Sequence, residues 1–322
     1  MTISETKVEE AKNTLAPRKT PVSAKNVLFA TDFSPTSEAA FPYAAAICRR
    51  FGGRLHAAHV LSDASLLMMT GGVDYVSLGT LYDDAESEAR EKLKQVCSRV
   101  PRIPPCTYVR HGPVWKNLAD IIAENEIDLI VVGTHGRTGL GKLLLGSVAE
   151  DILRHASCPV LTVGPKVSGH AKLPAIQASG RDLAPFDLDI RQIVAATDFT
   201  GNEALIGGAA VSLAEEFRAR LTLTHVIEDY TQLGSRPGLM EEGVRRLQKL
   251  LPGNIVLPYC PETVLEFGLA RERILKIAAE READLIVLGA RTAGEAGSTH
   301  LPWSTAHHVV AHAHCPVLTI RG

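Results

Sequence analysis

The feature that most constrains the fold of this chain is an internal repeat. The run NVLFATDFS at residues 26–34 recurs as QIVAATDFT at residues 192–200. Further along, DLIVVG at residues 128–133 recurs as DLIVLG at residues 284–289. Matching segments that return in the same order indicate two copies of one architecture.

Each copy alternates short apolar strands with amphipathic helices. In the first copy the pattern predicts strands at residues 27–30, 54–61, 106–110, 129–132 and 160–163. Helices are predicted between them, at residues 37–51, 83–97, 115–125 and 147–156. Continuous apolar strands that alternate with helices are typical of a parallel sheet covered on both faces. The sequence therefore predicts an α/β protein with two tandem Rossmann-like or flavodoxin-like open parallel five-stranded sheets and helices on both faces.

Composition along the chain predicts the domain boundaries. A chain of 322 residues suits about two domains of roughly 150 residues each. Residues 1–23 are polar and mixed in charge, which predicts a disordered tail. Residues 24–165 then form the first domain and residues 190–322 the second. The segment between them, residues 166–189, is rich in Gly, Pro, Ala and Ser and is interpreted as a linker.

Charge and composition exclude some classes of partner. The net charge is −2, from 34 basic and 36 acidic residues, so there is no electrostatic basis for binding nucleic acid. The sequence has neither a signal peptide nor an apolar run of transmembrane length, so no membrane association is expected. The six cysteines form no CxxC pair, which favours reduced and mostly buried thiols in a cytoplasmic protein.

The chemistry of such a fold belongs at one edge of the sheet. In an open parallel sheet, ligands bind beyond the carboxyl ends of the strands, where the strand order reverses. Asp32 follows the first predicted strand and Gly133 follows the fourth. If these two strands are neighbours, a carboxylate and a glycine-rich loop lie in one crevice.

The loop that begins at Gly133 has a specific glycine spacing. Gly136 follows after two residues, and nine more separate it from Gly146 and Ser147. Glycines let backbone N–H groups point inward and form an anion-binding concavity. Ser147 is predicted to cap the next helix, whose N-terminus favours a phosphate. A capped glycine turn without a ligand remains the alternative interpretation.

A second motif within this loop is misleading. Residues 136–142 fit the G-x-x-x-x-G-K part of a P-loop. The next residue is Leu143, however, where a P-loop needs Ser or Thr to hold magnesium. A P-loop NTPase is therefore not predicted.

The motifs together resemble a tandem-domain universal stress protein. The resemblance covers about 140 residues of the first copy in the right order. Its segments are VLFATDFS at 27–34, His59-Val60, Gly112-Pro113, DLIVVGTHGRTGL at 128–140, GSVAE at 146–150 and CPVLTV at 158–163. The spacing G-x2-G-x9-G-S is similar to the nucleotide signature of the ATP-binding branch of that family. The resemblance implies a regulatory protein whose conformation or assembly responds to ATP, with Mg²⁺ bound alongside it.

The resemblance also implies a role for individual residues of the first copy. Four of them would contact the phosphates and ribose of ATP: Gly133, Gly136, Gly146 and Ser147. Asp32 would lie near the ribose and the metal-bound phosphates. Val60 would offer its backbone to adenine, and Val148 would add a further N–H at the helix start. The last strands of the two copies would pair edge to edge as an intramolecular pseudo-dimer, and whole chains would associate as dimers.

The second copy departs from this pattern in its loop. Thr292 replaces Gly136, and Trp303 and Ser304 replace Gly146 and Ser147. A tryptophan at a phosphate-facing glycine fills the space that an anion needs. We therefore expect ATP in the first copy, and a second copy that is a structural pairing partner.

Two other functions remain open from the residues alone. One is a weak ATPase or nucleotidyl-transfer enzyme, for which Asp32 is the carboxylate at hand. The other is a nucleotide-free interaction module. His308 and His312, four residues apart, are interpreted as surface histidines rather than metal ligands, so neither a metal ligand nor a catalytic residue is assigned.

Overall fold

The protein is described by a computed structural model that covers most of the repeat. The described residues are 22–62, 75–100, 104–134, 145–167, 188–229, 237–251, 257–290 and 302–321. The predictions for the tail before residue 22 and for most of the linker lie outside these residues. The first described residues, Val22 and Ser23, are already packed, since Val22 is buried and Ser23 donates to Asp128 Oδ2 at 2.6 Å.

Ten strands form one continuous sheet. Its order is β3-β2-β1-β4-β5-β10-β9-β6-β7-β8. The strands of the first copy are β1 Asn26–Ala30, β2 Arg54–Leu61, β3 Cys106–His111, β4 Leu129–Gly133 and β5 Val160–Val163. Those of the second are β6 Gln192–Ala196, β7 Arg220–Ile227, β8 Glu262–Phe267, β9 Leu285–Ala290 and β10 Val317–Arg321. Each half is parallel, and the two halves meet through the antiparallel pair β5–β10.

This topology confirms the predicted fold class and identifies which of its two forms is present. The half-sheet order 3-2-1-4-5 is the Rossmann-like one, whereas a flavodoxin-like sheet has the order 2-1-3-4-5. Strands β1 and β4 are neighbours in the order observed here, whereas the third strand separates them in the flavodoxin-like order. The sheet therefore reverses its strand order between β1 and β4, as expected from the sequence.

Helices cover both faces of the sheet in the described segments. They are α1 Pro35–Phe51, α2 Tyr75–Ser98, α3 Val114–Glu124, α4 Ser147–His155, α5 Glu203–Phe217, α6 Leu239–Lys249, α7 Ala270–Glu280 and α8 Pro302–His312. One core cluster takes buried residues from α1, α2, α5 and α6, and the other takes them from α3, α4, α7 and α8. Both clusters include residues from the two copies, so the hydrophobic core is continuous across the junction. None of these described helices combines the length and the apolar character needed to span a membrane.

The seam between the copies is closed by backbone and side-chain hydrogen bonds. Leu161 of β5 lies opposite Leu318 of β10 in an antiparallel register. The buried Thr162 hydroxyl donates to the carbonyl of Val317 at 3.1 Å. On the other side of the local twofold axis, the buried Thr319 hydroxyl donates to a β5 carbonyl at 3.2 Å. Pairing these strands satisfies two edges that would otherwise expose unpaired backbone groups.

A second contact joins the copies where α1 and α5 end. Arg50 and Glu216 occupy equivalent positions of the repeat, and Arg50 Nε lies 2.7 Å from Glu216 Oε1. The next residues, Phe51 and Phe217, are also equivalent and pack edge to face with ring centroids 6.2 Å apart. The Arg50 guanidinium lies 5.4 Å from the centre of the Phe217 ring. The contact therefore joins an arginine of one copy to a glutamate of the other at the same point of the fold.

Candidate functional site

The candidate site lies at the carboxyl ends of β1 and β4. The two strands pair in parallel, with Ala30 opposite Val132. Asp32 follows β1 by two residues, and Gly133 is the last residue of β4. The fold therefore brings the predicted carboxylate and the start of the glycine loop to neighbouring strand ends.

A tight turn after β1 holds the Asp32 carboxylate. Asp32 Oδ1 accepts the backbone N–H of Ser34 at 3.0 Å. The Ser34 hydroxyl in turn accepts the N–H of Ser37 at 3.2 Å and so caps α1. Phe33, between them, adopts the left-handed conformation with φ +62°, which is uncommon for a residue other than glycine. The turn fixes the carboxylate at the edge of the sheet.

Aromatic and histidine side chains support this turn from β2. His59 is buried, and its Nδ1 lies 2.7 Å from the carbonyl oxygen of Thr31, to which it donates. The Phe33 ring lies against the His59 ring, with centroids 4.4 Å apart. The Lys92 ammonium of α2 is 5.8 Å from the centre of the Phe33 ring. Phe33 is therefore held between a histidine and a cation, and the strained backbone is stabilised by its surroundings.

The second copy repeats this support closely. His225 Nδ1 lies 2.8 Å from the carbonyl oxygen of Thr197, and its ring is 4.4 Å from that of Phe199. Phe199 has φ +59°, and the Arg246 guanidinium lies 4.0 Å from the centre of its ring. The turn is therefore part of the scaffold of both copies rather than a mark of the nucleotide site.

Gly133 is required by packing. A Cβ built on Gly133 would lie 2.7 Å from the Thr36 carbonyl oxygen and 2.8 Å from the Ser37 backbone nitrogen, at the start of α1. A side chain at this position would therefore collide with the helix backbone. From the sequence, Gly133 was expected to contact a phosphate. The steric reason for a glycine at this position could not be predicted from residue spacing along the chain.

The ends of the glycine loop are joined by a hydrogen bond. Gly146 N–H donates to the carbonyl of Thr134 at 2.7 Å, while Thr134 N–H donates to Val163 of β5 at 3.0 Å. Thr134 is fully buried. These bonds fix the start of α4 beside the end of β4. Gly136 lies within residues 135–144, outside the described residues.

Helix α4 begins differently from the sequence expectation. Gly146 is the N-cap residue, with φ −66° and ψ 145°, and no side chain caps the helix. Ser147, expected to be the cap, is instead the exposed first residue of the helix. The prediction of a serine cap is therefore wrong by one residue: the helix already includes Ser147, and the cap position falls on Gly146. Within the described residues, Gly146 therefore provides no side chain to cap the first N–H groups of α4.

The two valines of the predicted site lie on flanking elements. Val60 is the penultimate residue of β2, is half-buried and pairs with Arg110 of β3. Val148 is the second residue of α4 and packs, half-buried, against the core. Val60 is thus on the strand next to β1, and Val148 is in the first turn of the uncapped helix.

The equivalent helix of the second copy starts earlier. Helix α8 begins at Pro302, which aligns with Leu145. It therefore starts two residues earlier in the repeat than α4 does. Proline has no backbone N–H and suits the first position of a helix. The backbone N–H groups at the start of α8 therefore lie at a different position from those of α4, and the proline removes one of them. The loop that precedes it, including Thr292, lies outside the described residues.

The paired histidines of α8 lie close together. The rings of His308 and His312 stack with centroids 4.1 Å apart, and His312 Nδ1 donates to the carbonyl of His308 at 2.8 Å. Both side chains are half-buried rather than fully on the surface. Burial and the neighbouring His312 lower the pKa of His308. Over the described segments, no three His, Cys, Asp or Glu side chains are grouped as a metal site would require.

The cysteines are free thiols, and most are buried. Cys106 is half-buried and Cys260 is exposed, while the buried ones are Cys48, Cys97, Cys158 and Cys315. Burial raises the pKa of Cys48, Cys158 and Cys315 to about 12. These three groups are therefore neutral packing side chains at physiological pH.

Comparisons with known proteins agree with the repeat. The model of the universal stress protein family matches residues 23–164 and again residues 189–321. The chain is 36% identical over 140 residues to universal stress protein A homolog 1 of Coxiella burnetii, which covers 43% of this chain and 95% of that protein. It is 30% identical over 139 residues to a universal stress protein of Methanocaldococcus jannaschii, covering 43% of this chain and 81% of that one.

A solved structure covers the whole tandem arrangement. The crystal structure of a universal stress protein from Archaeoglobus fulgidus superimposes with a TM-score of 0.62 at 20% identity. The match covers 92% of this chain and 98% of that one, and at this identity it concerns the fold. With the family model matched in two segments that together span most of the sequence, the chain belongs to the universal stress protein family.

Proposed function

We propose that the first copy binds ATP together with Mg²⁺, and that the protein is a nucleotide-dependent regulator. The observation that carries the proposal is the uncapped start of α4 at Gly146, joined by a hydrogen bond to the end of β4. A helix N-terminus carries about half a positive elementary charge and free N–H donors, which favour a phosphate group. Ser147 and Val148 supply N–H groups of that first turn.

The surroundings of this helix start suit a nucleotide. The Asp32 turn lies on the adjacent strand end, with its carboxylate partly exposed. A carboxylate and a polyphosphate repel each other unless a cation lies between them, and Mg²⁺ supplies that cation with oxygen ligands on both sides. Gly136 would contribute to the phosphate loop, and Gly133 would act by keeping β4 close to α1. The backbone of Val60, on the next strand, would contact adenine.

The second copy would act as a structural partner. Helix α8 starts with a proline, and Trp303 takes the place of Gly146 in the sequence. Its strands and its Asp198 turn are retained, and β10 completes the sheet of the first copy. ATP would therefore bind on one side of a pseudo-symmetric molecule in the cytoplasm, and would alter the association of whole chains as homodimers.

Calorimetric titration of the purified protein with ATP and Mg²⁺ tests the proposal. We expect one nucleotide per chain, with binding abolished by Gly146→Trp. The second copy has Trp303 at the equivalent position, one residue inside helix α8, so the fold of Gly146→Trp is checked by circular dichroism before the titration. Leu269→Trp is the matched control, because Leu269 is the N-cap residue of α7 and is 49% exposed. Binding of equal strength in Gly146→Trp and the control would refute the assignment.

The same experiment separates the other functions. An interaction module without a nucleotide predicts no heat of binding at millimolar ATP. An ATPase predicts release of phosphate well above a blank reaction, lost in Asp32→Ala. A regulator predicts binding with at most slow turnover.

A further inference from the structure

A large cleft lies at the opposite edge of the second copy. It has a volume of about 780 Å³ and is lined by residues at the amino ends of β6, β7, β9 and β10. Its polar lining is unusually basic and includes Arg191, Arg218, Arg220, Tyr259, Arg281 and His314. A volume of this size falls in the range of about 300–1,000 Å³ that holds small ligands. The cleft is separate from the candidate nucleotide site, which lies at the carboxyl edge of the other half.

Two of the arginines have a carboxylate partner and two do not. Arg191 pairs with Asp189 at 2.6 Å, and Arg281 forms two hydrogen bonds with Glu262 at 2.7 and 2.9 Å. Among the described residues, neither Arg218 nor Arg220 forms an ion pair, and both are exposed. The cleft therefore offers two guanidinium groups that are available to an anion.

Three acidic residues also line the cleft: Asp189, which pairs with Arg191, the exposed Glu282, and Asp284. Asp284 is buried, and its Oδ2 accepts the backbone N–H groups of Arg191 at 2.7 Å and Gln192 at 2.9 Å. Burial, followed by the charge of Asp284, raises the pKa of Cys315 to about 12, so that thiol carries no charge in the cleft. The feature that favours an anion here is therefore the pair of guanidinium groups of Arg218 and Arg220 rather than an excess of positive charge in the cleft.

An aromatic ring lies beside one of these arginines. Tyr259 is 48% exposed, and the Arg220 guanidinium lies 5.3 Å from the centre of its ring. This contact holds the flat face of the guanidinium while its N–H groups remain free to bind. An exposed tyrosine next to a free cation suits a ligand that has both a ring and an anionic group.

The first copy lacks this arrangement at the equivalent edge. Gly52 stands where the second copy has Arg218, and Asn125 stands where it has Arg281. Ser23, equivalent to Asp189, donates to the Asp128 carboxylate at 2.6 Å and closes the edge there. Arg218 and Arg281 are therefore basic in the second copy only, whereas Arg191 and Arg220 correspond to the basic residues Lys25 and Arg54.

Arg218 adopts a backbone conformation for which the first copy uses a glycine. Arg218 ends α5 in the left-handed conformation, with φ +53° and ψ 39°. Its counterpart Gly52 ends α1 in the same conformation, with φ +67°. Glycine adopts this conformation without a steric cost, whereas an arginine adopts it with one.

We propose that this cleft binds a small phosphorylated molecule through Arg218 and Arg220, with Tyr259 against its non-phosphate part. Guanidinium groups match the geometry of phosphate oxygens with two parallel hydrogen bonds and remain charged at all physiological pH values. The proposal concerns the second copy alone, so it stands whether or not ATP binds to the first.

Titration with inorganic pyrophosphate tests the proposal, in the Gly146→Trp background so that the other edge does not contribute. We expect saturable binding by calorimetry that weakens with added salt, because exposed charges are screened. The double variant Arg218→Gly, Arg220→Gln should bind at least about tenfold more weakly, since hydrogen bonds to charged groups contribute about 1.5–3 kcal/mol each. Arg218→Gly suits the left-handed backbone, so the fold, checked by circular dichroism, should be retained.

Arg54→Gln is the matched control, because Arg54 is the exposed equivalent of Arg220 in the first copy. It should leave pyrophosphate binding unchanged. A parallel titration with ADP identifies the source of the phosphate: tighter binding than pyrophosphate indicates a nucleotide, and equal binding indicates recognition of phosphate alone. No binding to the parent protein, or equal binding to the double variant, would overturn the proposal.

Discussion

Gly133 lies so close to Ser37 that a Cβ on the glycine would be 2.7 Å from the Ser37 Cα atom. The end of β4 therefore rests directly on the backbone of the first turn of α1. Backbone atoms cannot rotate away as a side chain can, so this contact is sensitive to a single added carbon. In the second copy, a Cβ on the corresponding glycine, Gly289, would instead meet the side chains of Asn202 and Ile206, at 2.6 and 2.8 Å.

We predict that Gly133→Ala lowers the free energy of unfolding by about 1–3 kcal/mol, as overpacking of a tight contact does. Gly289→Ala should cost less, because the ends of side chains can move aside. Urea denaturation followed by circular dichroism measures both. A larger loss in Gly289→Ala than in Gly133→Ala would contradict the steric explanation.

The hydroxyls at the seam give a second prediction. Thr162→Val and Thr319→Val each keep the shape of the side chain and remove one buried hydrogen bond across β5 and β10. Each should lower the free energy of unfolding by about 0.5–1.5 kcal/mol, the usual net contribution of such a bond. Thr107→Val on the exposed outer strand β3 is the control in the same urea experiment. Equal effects at all three positions would show that the seam bonds contribute nothing specific.

The Asp32 turn gives a prediction that depends on the proposed nucleotide. Asp32→Asn keeps an oxygen to accept the Ser34 N–H and removes the charge. We expect MgATP to bind about tenfold more weakly, or roughly 1.4 kcal/mol, while ATP in EDTA binds as well as before. Calorimetry in the two buffers separates these cases. Asp198→Asn, the same change in the second copy, should alter the affinity for neither MgATP nor metal-free ATP. If Asp32→Asn weakens the binding of both forms equally, Asp32 has no role linked to the metal.

The half-buried His225 predicts how stability depends on pH. Burial is the main cause that lowers the pKa of His225 from 6.5, and the Arg246 charge adds to it against the opposing effects of the Thr197 carbonyl and Asp198. The unfolded chain therefore takes up a proton at a higher pH than the folded protein does. This contribution to stability is fully present above pH 6.5 and is lost as the pH falls below that value toward the folded pKa.

Thermal melting at pH 7.5 and pH 5.5 checks this sign. His225→Asn keeps a donor for the Thr197 carbonyl and cannot be protonated, so its melting temperature should fall less on acidification than that of the parent protein. His155→Asn is the matched control, since exposed His155 also donates from Nδ1 to a backbone carbonyl. An equal fall in melting temperature for the parent protein and for His225→Asn would refute the prediction.

Much of the fold could be predicted from local pattern. The strands Arg54–Leu61 and Val160–Val163 have the predicted bounds, because Gly53 precedes the first, and Pro159 and Gly164 flank the second. Helix α2 begins at Tyr75, eight residues before the predicted start at residue 83. Gly79 and Thr80 are poor helix formers and interrupt the periodicity, so the first two turns were not recognisable from the sequence.

The sequence predicted that Asp32 and Gly133 lie at neighbouring strand ends, but it did not predict the packing that requires a glycine at position 133. The strand ends that bring Asp32 and Gly133 together follow from the repeat and the Rossmann-like order. The steric reason for Gly133 depends on how closely β4 approaches α1, a tertiary distance that spacing does not contain. The basic cleft combines Arg218, Tyr259 and His314 from separate segments, and none of them belongs to a recognisable motif.

The contact between Arg50 and Glu216 determines which halves can associate. Because the two residues are equivalent, a symmetric pair of first halves would set arginine against arginine, and a pair of second halves would set glutamate against glutamate. Like charges at close range disfavour both of these wrong pairings. The polypeptide thus places opposite charges at a point where a pairing of two identical halves would place like charges.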